Sequence, residues 1–348
     1  MACHNSRGQQ GIGISASALY GQLTTGKPIK IISKIGPKSK SHYYELHINT
    51  KSNEPEIIKE EEREWEKDHG TKVQIELEGK YHKGKLSVDE FLQLTAISNP
   101  HATIIYKAPK EELPVEFPRA TKELPKEAKE IKPHPYGIEL GILIKMLKDT
   151  KSPTLQGFLQ QDFCRISANV AKEICDKAGL YEKARPNRIA RQEADNLFKV
   201  IQKVKIMSPP TDCISPIGEE QMLKGMKKEI EAEFYASITR PPSVYRGNPF
   251  QIEVCIAYGG SLPGDDLAKI IRYANRVPLQ HQAGACAVTK SVTQTAWRNY
   301  GLAQSRGALP SGPVIIMVHM ASVWVPFTSE SKEAIASYPE IIKEVKLA

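Results

Sequence analysis

Two proline-bearing connectors cut this chain, and any fold it adopts has to respect them. Residues 108 to about 133 hold five prolines among many lysines and glutamates, the composition of a linker. Met207 to Ile217 is a second proline-containing connector. With 348 residues, two or three domains are expected in any case. The expected division is 1–130, 131–213 and 214–348.

The first block alternates helix and strand signals. Ile14 to Leu23 reads as a helix, with Leu19 and Leu23 spaced for one face. Ile29 to Ile35 reads as a buried strand, and His42 to Ile48 as a second. Lys59 to Lys67 is a dense charge run and reads as a solvated loop or surface segment. Gly70-Thr71-Lys72-Val73-Gln74-Ile75-Glu76-Leu77 alternates with period two, and its Gly-Thr start puts a hydroxyl at the mouth of the strand. Tyr81 to Lys85 is a basic loop. Ser87 caps a helix over Val88–Ile97, with Glu90 at the capping-box position. Ala102 to Tyr106 is a further short strand. Strands and helices in two packed layers account for this block most simply.

From His134 to about Val204 the pattern turns helical. Four helices are expected: one around Ile138–Leu147, one after Ser152-Pro153-Thr154, one from Ile166 that stops at Gly179, and one over Arg185–Val204. The last exposes Arg185, Arg188, Arg191, Lys199 and Lys203. Basic residues at the starts of short helices suit a phosphate backbone. They suit an ordinary solvated surface equally. In the last block, strands are expected at Phe234–Thr239, Phe250–Tyr258 and Gly312–Trp324, and a helix at Asp265–Ala274. The loop Val325–Lys332 is expected to open a final helix at about Glu333. The order describes an α/β domain.

Composition narrows the functional classes. A net charge of +8 and a pI near 9.0 point to an anionic partner such as nucleic acid, nucleotide or a membrane surface, although the excess is modest. Six scattered cysteines form no Cys-x-x-Cys pair, so no zinc site or disulfide framework is indicated. Reduced thiols and a cytoplasmic location fit best. No apolar run reaches the roughly 20 residues of a membrane helix, and no membrane partner is expected.

The stretch with the sharpest chemistry is Ser6-Arg7-Gly8-Gln9-Gln10-Gly11-Ile12-Gly13-Ile14-Ser15. A glycine-rich turn opening a helix presents backbone N–H groups at the positive end of the helix dipole, which suits phosphate. A plain tight turn before a helix is the ordinary alternative, and the motif alone does not choose.

At Ser6–Ser15 and at Phe327–Lys332 the sequence resembles the B subunit of archaeal DNA topoisomerase VI, the type IIB topoisomerase, whose ATPase domain is of the GHKL type found in gyrase, heat-shock chaperones, histidine kinases and MutL. The resemblance covers essentially the whole chain. Its parts are the glycine motif of the ATP lid, the Gly70-Thr71-Lys72-Val73 strand that closes the nucleotide pocket, and a helix-two-turns-helix insert over His134–Val204. A transducer domain over 231–348 completes it, with the long strand Gly312–Phe327. The implied fold is a multi-domain α/β chain: a partial GHKL-type α/β sandwich, the helical insert, and an α/β transducer.

The resemblance implies that Gly8, Gln9, Gln10, Gly11, Ile12, Gly13, Ile14 and Ser15 wrap the phosphates of ATP, with Thr71 near the nucleotide. Lys332 matches the switch lysine that reaches the γ-phosphate. Trp297-Arg298-Asn299-Tyr300 resembles a Trp-Lys-x-Tyr motif that contacts DNA, with Arg298 in place of the lysine. Lys83 and Lys85 in the basic loop and Arg185, Arg188 and Arg191 are further DNA candidates, with a solvated surface as their equal alternative. The implied partners are the topoisomerase VI A subunit, a second B subunit joined through ATP, and double-stranded DNA.

The family's catalytic glutamate, its Mg²⁺-holding asparagine and its adenine-reading Asp-x-Gly-x-Gly segment have no counterpart before Ser6. The chain therefore reads as a fragment cut at both ends, with the Mg²⁺ ligand expected in a preceding segment. Alone it is expected neither to bind ATP tightly nor to hydrolyse it. The implied activity, shared with the A subunit, is ATP-driven passage of one duplex through another, which relaxes supercoils. A DNA-binding scaffold without ATPase activity is the alternative.

Overall fold

The computed structural model describes residues 12–52 and 54–348. They fall into two compact units, one within residues 12–82 and the other Lys83–Ala348.

The smaller unit is a helix on an antiparallel sheet. Helix α1 (Gly13–Thr25) is followed by β1 (Ile29–Lys34), β2 (Ser41–Asn49), β3 (Glu54–Arg63) and β4 (Gly70–Gln74), in the sheet order β3-β2-β1-β4. The packed face of α1 is not the expected Leu19/Leu23 stripe. Ala18 and Gly21 are buried, whereas Leu23 is 71% exposed. The reason is a close approach: a Cβ on Gly21 would stand 2.7 Å from the Glu76 carbonyl oxygen, so only the small residues can face inward. Gln22 fastens α1 to the end of β2. Its side-chain amide donates to the Ile48 carbonyl (3.1 Å) and accepts from the Ile48 N–H (2.8 Å).

The charge run is a surface segment, as one of its two readings had it, and its first half, Lys59–Arg63, is strand and not loop. β3 pairs along the whole of β2, and its charged side chains face water, which suits a sheet edge. Tyr43 on β2 is the buried anchor, with the Arg63 guanidinium 3.4 Å above its ring.

The larger unit begins with α2 (Val88–Ser98), capped as expected: the Ser87 hydroxyl accepts from the Glu90 N–H. A two-stranded ribbon follows, β5 (Ile104–Tyr106) with β6 (Val115–Phe117), so part of the expected linker is paired. Helices α3 (Leu140–Asp149), α4 (Leu155–Asp162), α5 (Ala168–Ala178) and α6 (Arg191–Ile201) then surround one apolar core. Leu143, Leu155, Phe158, Leu159, Ile174 and Leu197 are wholly buried in it. Thr154 and Ser167 cap α4 and α5, and Gly179 ends α5 in the left-handed region. The expected helix from Arg185 starts later, because Pro186–Arg188 form a separate 3-10 turn.

Helix α7 (Glu219–Glu229) leads into the main sheet, which takes β7 (Phe234–Thr239), β8 (Ser243–Tyr245), β9 (Asn248–Tyr258), β10 (Lys269–Ala274) and β11 (Val277–Pro278). After α8 (Ala287–Gln294) and the small ribbon β12 (Ala303–Gln304) and β13 (Pro310–Ser311) come β14 (Val314–Ser322) and the final helix α9 (Pro339–Leu347). The sheet order is β11-β10-β14-β9-β7, with β8 paired to β9. Every residue of β14 is buried, because helices cover both faces. Val314, Ile316, Val318 and Met320 face the core with α8 and α9; Ile315 and Met317 face the one with α2 and α7.

Two expectations in this region are corrected. Lys269–Ala274, expected within a helix, is β10 and runs parallel to β14. The last helix starts at Pro339 rather than Glu333, and the intervening residues return to Phe327 through an antiparallel bridge from Ile335.

Candidate functional site

Within the larger unit, Lys332 sits in the loop that leaves β14. Thr328 N–H donates to Ala334 O (2.9 Å), Ala336 N–H to Pro326 O (2.7 Å) and Lys332 N–H to Ser329 O (3.1 Å). The bridge between Phe327 and Ile335 closes the loop at its base. Lys332 itself is half-buried and has φ +56, in the left-handed region that non-glycine residues seldom adopt.

The glycine motif is described only at its end. Gly8, Gln9, Gln10 and Gly11 lie outside the described residues. Ile12 is the N-cap of α1 and offers no side-chain cap to the helix; Gly13, Ile14 and Ser15 form its exposed first turn. Thr71 is exposed on β4, opposite Ser33, with the two hydroxyl oxygens 3.4 Å apart.

The DNA candidates fall on three turns. Arg185, Arg188 and Arg191 gather around the 3-10 turn before α6, and all three are exposed. Lys83 and Lys85 flank Gly84. Lys83 forms an ion pair with Glu111, and its hydrogen bond to that carboxylate raises the lysine pKa. Lys85 is exposed.

Trp297, Arg298 and Tyr300 share one 3-10 turn after α8. Trp297 is anchored: its indole N–H donates to Val292 O at 2.7 Å. Arg298 is held by the fold as well, with Nε and Nη2 donating to Gln304 O at 2.9 and 2.6 Å. Tyr300 is 74% exposed. Trp297 and Tyr300 border an apolar groove of about 560 Å³ shared with Phe234, Tyr258 and Val345.

The sequence reading missed the polar centre of the larger unit. Glu253 on β9 and His319 on β14 are both wholly buried and joined Nδ1 to Oε2 at 2.7 Å. The carboxylate also accepts from the N–H groups of Ile217 and Gly218 (both 2.7 Å) and from the Thr239 hydroxyl (2.8 Å). Burial alone would push the Glu253 pKa up. The His319 bond and the two backbone donors outweigh it and hold the pKa below the usual carboxylate value. The signal was available in two ionisable residues inside otherwise apolar strands.

Arg276 extends this centre. Its N–H donates to His319 Nε2 (3.0 Å), and its guanidinium donates to Pro216 O (2.7 Å) and Ser98 O (3.3 Å). Burial lowers its pKa. Helix α2 is bound to the sheet here, and it also meets α7 closely: a Cβ on Gly225 would stand 2.1 Å from Ile97 O.

Among the described residues no group of three His, Cys, Asp or Glu side chains could hold a metal ion. Among them, too, no helix is long and apolar enough to cross a membrane.

A family model described as the topoisomerase VI B subunit transducer matches residues 209–348. The B subunit of the type 2 DNA topoisomerase 6 of Methanococcoides burtonii is 53% identical over 348 residues, covering 100% of this chain and 56% of its own. The B subunit of the same enzyme from Methanosarcina barkeri is 51% identical with the same coverage. The topoisomerase IV ATP-binding domain of Francisella tularensis superposes with a TM-score of 0.32 at 9% identity, over 97% of this chain and 65% of that one. That score is low, and the assignment rests on the sequence relatives. The transducer match and the relatives aligned over the whole chain place it in the class of topoisomerase B subunits. It belongs to the family of type 2 DNA topoisomerase 6 B subunits, and it spans about half the length of the curated relatives it matches.

Proposed function

We propose that this chain is part of the ATP-binding B subunit of a type II DNA topoisomerase, in which ATP joins two B subunits and gates passage of one duplex through another held by the A subunit. The observation that carries the proposal is Lys332. It stands in a closed loop at the end of the transducer's central strand, with its backbone held in a left-handed conformation. A lysine ammonium meets a terminal phosphate as a point charge. Loss of that phosphate on hydrolysis removes the partner and frees the loop to shift.

In this reading Gly8–Ser15 supply backbone N–H groups to the phosphates and Thr71 lies beside the nucleotide. Arg185, Arg188 and Arg191 meet the DNA backbone, as do Lys83, Lys85 and the Trp297–Tyr300 turn. The division at about 130 and 213 belongs to the same proposal. Arg298 would reach phosphate only while sharing its guanidinium with Gln304 O, since two of its donors already point there. Cytoplasmic placement beside the nucleoid follows from DNA as substrate.

Relaxation of supercoiled plasmid by the full-length B subunit assembled with an A subunit tests the proposal. Relaxation that requires ATP and is lost in Lys332→Ala supports it. DNA binding with no ATP dependence in any assay would favour the scaffold alternative.

A further inference from the structure

Cys286 and Ala287, two consecutive residues at the head of α8, hold a single residue of the Lys332 loop. Cys286 Sγ accepts the Ile335 N–H at 3.4 Å, and Ala287 N–H donates to Ile335 O at 2.8 Å. Ile335 in turn bridges Phe327 at the base of the loop. Cys286, Ala287, Ala334 and Ile335 are wholly buried, so this junction has no water to replace a lost partner.

The tail of α8 holds the Trp297 turn in the same manner. Val292 O accepts the Trp297 indole N–H, and Thr293 O accepts from Gln304 Nε2 at 3.2 Å. Gln304 then accepts the Trp297 backbone N–H through Oε1 (3.1 Å) and the Arg298 guanidinium through its carbonyl. Between the two junctions α8 is eight residues long, and Ala287, Val288, Ser291 and Val292 are buried along it. Buried packing of this density shifts between discrete arrangements and does not bend continuously.

From these contacts we infer that α8 is a strut linking the Lys332 loop to the Trp297–Tyr300 turn, with Cys286 as the positioning residue at its head. The inference rests on the proposed roles of Lys332 at the terminal phosphate and of the Trp297 turn at DNA. It adds the route: the two sites communicate through α8, and the Cys286 contact to Ile335 sets how strongly. A nucleotide that draws on the Lys332 loop changes the affinity of the Trp297 turn for DNA, and DNA changes nucleotide affinity by the same factor.

The test is a linkage measurement on the full-length B subunit assembled with an A subunit. Affinity for a short duplex is measured with and without a non-hydrolysable ATP analogue, and the ratio is compared across variants. Cys286→Ala deletes the acceptor and is expected to shrink the ratio by about fivefold, the scale of one buried hydrogen bond. Duplex affinity without analogue, and analogue affinity without duplex, should stay within about twofold. Cys286→Ser keeps an acceptor and should restore the ratio, which a general packing defect would not allow. Gln304→Ala loosens the other end and should also shrink it. A wild-type ratio retained in both Cys286→Ala and Gln304→Ala overturns the strut. Lys332→Ala and Arg298→Ala separate the two claims. If the first leaves analogue affinity unchanged and the second leaves duplex affinity unchanged, the underlying functional reading falls and the strut falls with it.

Discussion

Glu253 and His319 face each other at the centre of the transducer sheet, Oε2 to Nδ1 at 2.7 Å, with neither side chain exposed to solvent. The far nitrogen of the imidazole accepts the Arg276 N–H. His319 therefore carries its proton on Nδ1 and is neutral, while Glu253 is the anion. That charge is balanced by the amides at the start of α7 and by the Thr239 hydroxyl. One carboxylate thus ties β7, β9, β14 and the entry to α7 together.

Removing the carboxylate leaves several buried donors without a partner. Glu253→Ala should cost about 1–3 kcal/mol for each buried donor left unsatisfied, read as a lowered denaturation midpoint at neutral pH. The depressed folded pKa fixes the pH dependence. The contribution is complete above the ordinary glutamate value of 4.5 and is lost as pH falls through the folded value. A variant as stable as the wild type would show the network to be dispensable.

His134 gives the helical cluster a pH dependence of its own. It is buried before α3, accepts the Tyr136 N–H on Nδ1 and faces Met207 O through Nε2 at 3.0 Å. Burial depresses its pKa below 6.5. The unfolded chain then takes up the proton first on acidification. Stability is full above pH 6.5 and declines as pH drops towards the folded value. Thermal melting followed from about pH 7 to about pH 5 should show this decline. His134→Asn, which keeps an acceptor at the cap, should flatten it; an unchanged slope in that variant would assign the dependence elsewhere.

Gly225 permits the contact between α2 and α7. With an added Cβ only 2.1 Å from Ile97 O, Gly225→Ala must separate the helices. The expected loss is about 1–3 kcal/mol, against the gain in helix propensity that an exposed Gly→Ala change would bring. A stabilised variant would mean that α2 does not approach α7 this closely.

The legible parts of this fold were those with a local cause. Ser87 and Gly179 act through their own helix ends, and the cap and the stop expected from them are present. Val314–Ser322 was legible because burial on both faces leaves an unbroken apolar run. The same burial hid β10, where apolar residues without alternation pass equally for a helix. β3 was hidden for the opposite reason, since an edge strand with both faces in water shows no apolar alternation. Pro339 at the first turn of α9 marked the true helix start, beyond the expected Glu333. Of the candidate site, Lys332 was found through family resemblance. Glu253, Cys286 and Arg276 were not, because their partners lie 66, 49 and 43 positions away in sequence.

The central claim is that Lys332 reports the terminal phosphate of ATP to the transducer. Dimerisation of the full-length B subunit assembled with an A subunit, followed as a function of a non-hydrolysable ATP analogue, tests it most directly. Analogue-dependent pairing of B subunits is expected in the wild type, with a loss of at least about tenfold in analogue affinity or pairing in Lys332→Ala. Identical pairing by wild type and Lys332→Ala across the whole analogue range would contradict it.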